Sequence, residues 1–351
     1  PPPPPETNTY TESSAASDVY KRQGQSRAAR SQTPENRPDM TESTALIGID
    51  WGTSSFRAYR IDASGAVLDR LSSASGIRSI GSGRFSDVLS DQVGAWIDSD
   101  DPAPVLMSGM IGSRQGWQEA PYCPMPVTLD NIAGNLIAIE NQAPASLWIV
   151  PGVASEDERM PDVMRGEETQ IFGALRQYDR TDGTFVLPGT HSKWVYVEGG
   201  HIRHFATYMT GEIFAALKGH TILGSLMSEQ TDLHADGFAK GFDDGRQAGS
   251  PGALLHRLFG ARTHALFGRI DNDAIADYLS GLLIGAEFAD AAEQPDKVLS
   301  ILGASDLAER YMLAAERFGL QAERVDPDCA ASGLYAIACR AGLVTPKEDE
   351  V

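Results

Sequence analysis

Beyond Met40 the chain alternates short apolar runs with segments whose apolar positions recur every three to four residues. The runs Leu46 to Asp50, Arg57 to Ile61, Val105 to Ser108, Leu147 to Pro151, Phe185 to Pro188, Trp194 to Glu198 and Val298 to Gly303 have the length and flanking turn residues of strands. Helical spacing is carried by Phe85 to Trp96, Glu167 to Arg176, Asp273 to Ala292, Leu307 to Phe318 and Ala330 to Ala341. The alternation predicts an α/β fold. A third apolar stretch, Val67 to Ser72, follows the turn signal Asp62-Ala63-Ser64-Gly65, so the first three runs read as a meander. The same sequence of strand, small-residue turn, strand, turn and strand recurs over Thr184 to Phe205. Two copies of one unit, about 140 residues apart, predict two similar domains facing each other.

Length agrees with that picture, because 351 residues exceed what one core usually serves. A hydrophobic share of 42% with 22% charged residues is ordinary for a chain that buries a large core. The formal net charge of -19 argues against a sequence-independent grip on nucleic acid or anionic lipid, which needs clustered Lys and Arg. A phosphorylated ligand must then be held by backbone N–H groups, a few placed cations and a metal, and Mg²⁺ meets that need. Cys123, Cys329 and Cys339 form no C-x-x-C pair and have no zinc-spaced histidine, so inert thiols in a reducing cytoplasm are expected. No run approaches the roughly 18 apolar residues of a membrane span. A homodimer is compatible with the sequence, which does not specify one. Residues 1–39 are rich in Pro, Ser, Thr and Gln without apolar period, which predicts disorder. Within them, S-S-A-A-S-D-V-Y-K-R-Q from Ser13 to Gln23 reads as translated adapter sequence, with Met40 the expected native start.

The candidate chemistry begins at Asp50-Trp51-Gly52-Thr53-Ser54. An Asp at a strand end, followed by a turn of small residues, places a carboxylate beside backbone and hydroxyl donors, a corner that phosphate and metal can share. Taken singly, this string also suits an ordinary hairpin. Arg57 follows on the second strand, and the later copy offers Gly189, Thr190, His191, Ser192 and Lys193 in the same place.

Those strings carry a resemblance. I-G-I-D-W-G-T-S-S-F-R-A-Y-R-I and L-P-G-T-H-S-K-W-V resemble the two phosphate motifs of the actin, Hsp70 and hexokinase superfamily, and S-I-L-G-A-S at Ser300 to Ser305 resembles its adenosine motif. M-S-G-M-I-G-S-R-Q-G-W, V-M-R-G-E-E-T-Q-I-F-G-A-L, Y-M-T-G-E and Y-L-S-G-L-L-I-G-A-E, in that order, resemble the 2-dehydro-3-deoxygalactonokinase family from Leu46 to about Val344. The resemblance implies two ribonuclease H-like domains, residues 40–165 and 166–351, around a cleft for ATP and substrate. The helices containing Glu167 and Ala330 would cross at the hinge. It implies ATP and Mg²⁺ as cofactors and phosphorylation of a small sugar acid at its 6-hydroxyl in galactonate breakdown. A kinase of another sugar acid, and an actin-like ATPase that phosphorylates nothing, are the alternatives.

Phosphoryl transfer needs a carboxylate for the hydroxyl proton and cations on the phosphates, and the resemblance implies that carboxylate near the start of the helix at Glu167, where related sugar kinases place a catalytic Asp. Glu167 is the expected base, with Glu168, Asp50 and Glu212 as alternatives and Asp50 the expected metal holder. The bland reading of Glu167-Glu168 is helix-start acidity favoured by the macrodipole. Gly52, Thr53, Ser54, Arg57, Gly189, Thr190, His191, Lys193, Gly303, Ala304 and Ser305 are expected around ATP. For the substrate, Arg165 and then Arg114 suit its carboxylate, Gly109 and Gly112 offer backbone donors, and Trp117 and Glu212 complete the expected set.

Overall fold

A computed structural model describes residues 43–81, 83–98, 102–140, 144–228, 232–247, 251–292, 298–303, 305–326 and 329–347. The expected leader and Ala304 lie outside these residues. In chain order the elements are β1 (Leu46–Trp51), β2 (Phe56–Ile61), β3 (Val67–Ser73), α1 (Phe85–Ile97), β4 (Val105–Ser108), β5 (Tyr122–Pro124), α2 (Leu129–Ala133), β6 (Ile137–Ile139), β7 (Leu147–Ile149), β8 (Gly152–Ser155) and β9 (Asp162–Met164). There follow α3 (Glu167–Gln177), β10 (Gly183–Leu187), β11 (Ser192–Glu198), β12 (His201–Tyr208), α4 (Thr210–His220), α5 (Ala235–Arg246), α6 (Pro251–Leu258), α7 (Gly260–Leu266), α8 (Ile275–Ala291), β13 (Leu299–Ile301), α9 (Ser305–Phe318), β14 (Ala322–Arg324) and α10 (Cys329–Arg340). They divide into a smaller unit, residues 209–290, and a larger one formed by the described residues on either side of it.

In the larger unit one sheet runs β3-β2-β1-β4-β7-β6 and another runs β12-β11-β10-β13-β14. Each begins with an antiparallel meander whose first strand in sequence then pairs in parallel, β1 with β4 and β10 with β13. A further parallel strand follows in both, β7 or β14. The internal repeat in the sequence is therefore a repeat of topology. A short third sheet, β5-β8-β9, escapes sequence reading because its strands have only three or four residues.

Helices α3 and α10 make the two sheets share a core. A Cβ on Gly173 would stand 1.7 Å from the Cys329 carbonyl oxygen, and one on Gly333 would stand 1.9 Å from that of Thr169, so the two backbones touch where they cross. Around the crossing, Ile171, Leu175, Leu334 and Ile337 are buried with Leu46 and Ile61 of the first sheet and Phe185 and Val195 of the second. Each such side chain contributes roughly 1.5–3 kcal/mol. The far face of the first sheet, Ile47, Ile49, Trp51 and Phe56, is covered by Phe85, Leu89, Val93 and Ile97, one stripe of α1 at four-residue spacing.

The smaller unit repeats the close-crossing device. Cβ atoms on Gly241 and Gly245 of α5 would meet the carbonyl oxygens of Tyr278 and Leu282 at 2.0 and 2.1 Å; those on Gly281 and Gly285 of α8 would meet Phe238 and Phe242 oxygens at 2.1 and 2.3 Å. Glycines that lower intrinsic helix propensity hide α5 from sequence reading, while packing stabilises it. No helix among the described residues is long and apolar enough to cross a membrane.

Replacing Gly173 by Ala is expected to destabilise the protein by about 2–3 kcal/mol, because a backbone carbonyl cannot yield as a flexible side chain does. An unchanged denaturant midpoint would contradict the crossing.

Candidate active site

Strand β1 delivers Asp50 to the carboxyl end of the parallel pair, in register with Arg57 on β2 and Ser108 on β4. Open α/β sheets collect ligands at that end. The Asp50 carboxylate, 14% exposed, lies 3.5 Å from the Arg57 guanidinium. The turn beyond it closes with Gly52 N–H donating to Ser55 O at 2.9 Å. A second segment staples that turn in place: Ile77 and Arg78 N–H donate to the Gly52 and Thr53 oxygens, both at 3.1 Å, and Trp51 Nε1–H donates to Ser75 O at 2.9 Å. Gly76 lies flat against Ser54, where a Cβ would come within 2.3 Å of the backbone. The corner expected to face phosphate is thus braced from behind.

Two glycines join this corner to the helix that bears the candidate base. Gly109, just past β4, has φ +92, and its missing Cβ would stand 2.9 Å from Trp51 O and 3.3 Å from Asp50 Oδ1. Gly166, which precedes α3, has φ +101 and a Cβ position 3.0 Å from the Gly109 Cα. Both positive φ values and both contacts exclude other residues. The turn into α3 is fixed by its own acids: Arg165 N–H donates to Glu167 Oε2 at 2.9 Å, and Gly166 N–H to Glu168 Oε1 and Oε2 at 2.9 and 2.7 Å. Thr169 Oγ1 and Glu168 Oε1 lie 3.1 Å apart. Glu167 is half-buried, whereas Glu168 is 0% exposed. Burial first, and then the neighbouring Glu167 charge, push the Glu168 carboxyl up to about 8.

Arg165 is 8% exposed. Its Nη2–H donates to Ala120 O at 2.7 Å, and its guanidinium carbon sits 4.4 Å from the centre of the Tyr122 ring. Nε and Nη1 have no hydrogen-bond partner among the described residues. Gly112 makes the room, since its Cβ would stand 2.8 Å from Arg165 Nη1. The structure thus brings Asp50, Arg57, Gly109, Gly112, Arg165, Glu167 and Glu168 into one connected neighbourhood.

Other expected residues stand elsewhere or are otherwise engaged. The Arg114 side chain is 83% exposed and bonded to Glu119 at 2.9 Å. Trp117 stacks on Phe85, with ring centres 6.4 Å apart, and packs on the α1 core. Lys193 is buried, donating to Val163 O at 2.8 Å and to Thr207 Oγ1 at 2.6 Å, which ties β11 and β12 to β9, the strand leading into Arg165. Gly189, Thr190 and His191 form the turn from β10 to β11. Gly303 adjoins it, its Cβ position 3.5 Å from Pro188 Cδ, and Ser305 opens α9. Glu212 is in the first turn of α4, in the smaller unit. Sequence reading missed the Tyr122 platform and the grip of Glu168 on Gly166. The readable signal was a glycine set directly before two acids at a helix start.

No cluster of three or more His, Cys, Asp or Glu suited to a metal occurs among the described residues. One half-open carboxylate beside a braced turn fits Mg²⁺, which keeps several waters and takes the rest of its ligands from phosphates.

Two copies of one meander-plus-parallel path, with two helices crossing between them and a carboxylate at the end of the first strand, define a two-sheet, actin-like ATPase fold. Within that class the chain belongs to the 2-keto-3-deoxy-galactonokinase family, whose model matches residues 50–337. It is 32% identical over 295 residues to the 2-dehydro-3-deoxygalactonokinase of Escherichia coli K12, covering 83% of this chain and 97% of that one. A Rhizobium meliloti protein provisionally given the same name is 38% identical over 310 residues, covering 86% of this chain and 99% of its own length. A crystal structure from Sinorhizobium meliloti, also provisionally so named, superposes with a TM-score of 0.77 at 36% identity, over 84% of this chain and 98% of that one.

A Glu whose folded pKa is raised binds more protons folded than unfolded, so it lowers stability progressively as pH rises from about 4.5 to about 8. Glu168→Gln is expected to remove that component. Melting temperatures recorded from pH 5.5 to 8 should fall less steeply for the variant than for the wild type, and parallel curves would contradict a buried titrating Glu168.

Proposed function

We propose that this protein transfers the γ-phosphoryl group of ATP to the 6-hydroxyl of 2-dehydro-3-deoxy-D-galactonate, in galactonate catabolism. The observation that carries the reading is the pairing of Asp50 with the Glu167 turn across the Gly109–Gly166 contact. It occurs in a chain that aligns along nearly the whole length of an enzyme with that name. Glu167 is the base: it takes the hydroxyl proton as the substrate oxygen bonds to the γ-phosphorus and the bond from that phosphorus to the β–γ bridging oxygen breaks, releasing ADP. Asp50 would hold Mg²⁺, which when bound neutralises charge on the β- and γ-phosphates.

The braced turn Gly52-Thr53-Ser54 with Arg57 takes one side of the phosphates, and Gly189, Thr190 and His191 the other. Lys193 supports that second side through its bonds to β9 and β12. Gly303, Ala304 and Ser305 take the adenosine. The substrate carboxylate goes to Arg165, whose buried, unpartnered N–H groups support the role, since each such group costs about 1–3 kcal/mol until paired. Residues 40–165 and 166–351 would be the two lobes, with the α3–α10 crossing as hinge. The proposed setting is the cytoplasm.

A pyruvate-kinase-coupled assay across sugar acids tests the reading. The galactonate-derived 2-keto-3-deoxy acid should be the preferred acceptor, and preference for an acid lacking that pattern would overturn it. Glu167→Gln is expected to lower kcat by roughly 10²-fold at little changed KM. Arg165→Met should instead raise KM for the sugar acid by about tenfold or more while KM for ATP stays put, as loss of a carboxylate partner requires.

A further inference from the structure

We propose that Glu168 is a positioning residue for the reaction: it holds the Arg165–Gly166 peptide so that the Glu167 carboxylate keeps its place opposite Asp50. The inference rests on Glu167 being the base and adds what orients it.

Glu168 cannot itself meet a substrate in this conformation, because it is wholly buried and both its oxygens are engaged by Gly166 N–H, with Thr169 Oγ1 beside Oε1. What it grips is the residue that decides the site's geometry. Gly166 rests on Gly109, and Gly109 rests on Asp50 and Trp51 O. A left-handed glycine has many alternative conformations once its amide is released, so the bidentate hold on Gly166 N–H selects the one that seats Gly166 on Gly109. Consecutive amides, Arg165 and Gly166, end on consecutive acids, Glu167 and Glu168. The two amides belong to the consecutive peptides that flank the Arg165 Cα, so a rotation of the Arg165–Gly166 peptide reaches the Glu167 carboxylate through the Arg165 backbone. It would also shift Arg165, so both proposed substrate contacts hang on this pair of peptides.

The choice of residue supports a functional role. The charge that reaches Glu168 is acidic, that of Glu167 before it, and it adds to the cost of burial. An apolar residue at this place would avoid that penalty, as buried carboxyls without a cation are costly. Such a cost at a site is a mark of preorganisation.

Steady-state kinetics of the full chain with ATP and the sugar acid test the proposal. Glu168→Met fills similar volume without an acceptor, and it should lower kcat by roughly 30-fold or more, with both KM values within about threefold of wild type. Glu168→Gln keeps an acceptor for Gly166 N–H and should retain at least about a third of kcat. Thr169→Val leaves the carboxylate in place while removing the hydroxyl beside Oε1, and should cost about threefold in kcat. It supplies the same comparison should Glu168→Met not fold. Full kcat in Glu168→Met or Thr169→Val, or a Glu168→Gln as slow as Glu168→Met, would overturn the proposal. If Glu167→Gln also turns over at full rate, the base reading fails. If Glu167→Gln is slow and Glu168→Met is fast, only the positioning role fails.

Discussion

Backbone lies on backbone at Gly109 and Gly166, and most of the site's geometry depends on that contact. Gly109 follows the strand beside Asp50, and Gly166 precedes the helix that carries Glu167. Any Cβ at either position would displace one element from the other. The positive φ at each is tolerable only without a side chain. The strand end at Asp50 and the turn into α3 are thereby joined by contacts much stiffer than long side chains. The Glu167 and Glu168 carboxylates then return to the amides just before them and lock the turn from the helix side. Phosphoryl transfer asks a protein chiefly for placement and charge, and this arrangement supplies placement first.

The same economy recurs at larger scale. Helices α3 and α10 approach until Gly173 and Gly333 touch the opposing backbone, which lets one core serve two sheets. The helix that starts at the site is thus the helix that joins the two halves of the repeat.

Much of this was legible in the sequence because its causes are local. Strands β1 and β2 declare themselves through apolar runs around Gly52-Thr53-Ser54, and the repeat at Gly189 shows since each turn needs small residues. Helix α3 begins where Gly166 and two acids predict it. What stayed hidden depends on partners distant in sequence. Lys193 looks like a phosphate cation in its turn, yet its ammonium is spent on Val163 and Thr207, some 30 and 14 residues away. Trp117 sits in a glycine-rich loop that suggests ligand contact, and its ring instead packs on Phe85. Nothing local tells Glu167 from Glu168, because a one-residue shift on a helix turns a side chain by about 100° and decides which acid is buried. Helix α5 is not among the helices that the spacing predicts, since its glycines serve a neighbour, α8, some 40 residues later.

The central claim is that Glu167 faces the reacting hydroxyl while Asp50 serves the phosphates. A crystal structure with 2-dehydro-3-deoxy-D-galactonate, Mg²⁺ and a non-hydrolysable ATP analogue tests it most directly. The account predicts a Glu167 carboxylate oxygen about 2.6–3.2 Å from the 6-hydroxyl, the substrate carboxylate on Arg165, and Asp50 on the metal side. A 6-hydroxyl bonded to Asp50, with Glu167 turned away from the substrate, would contradict it.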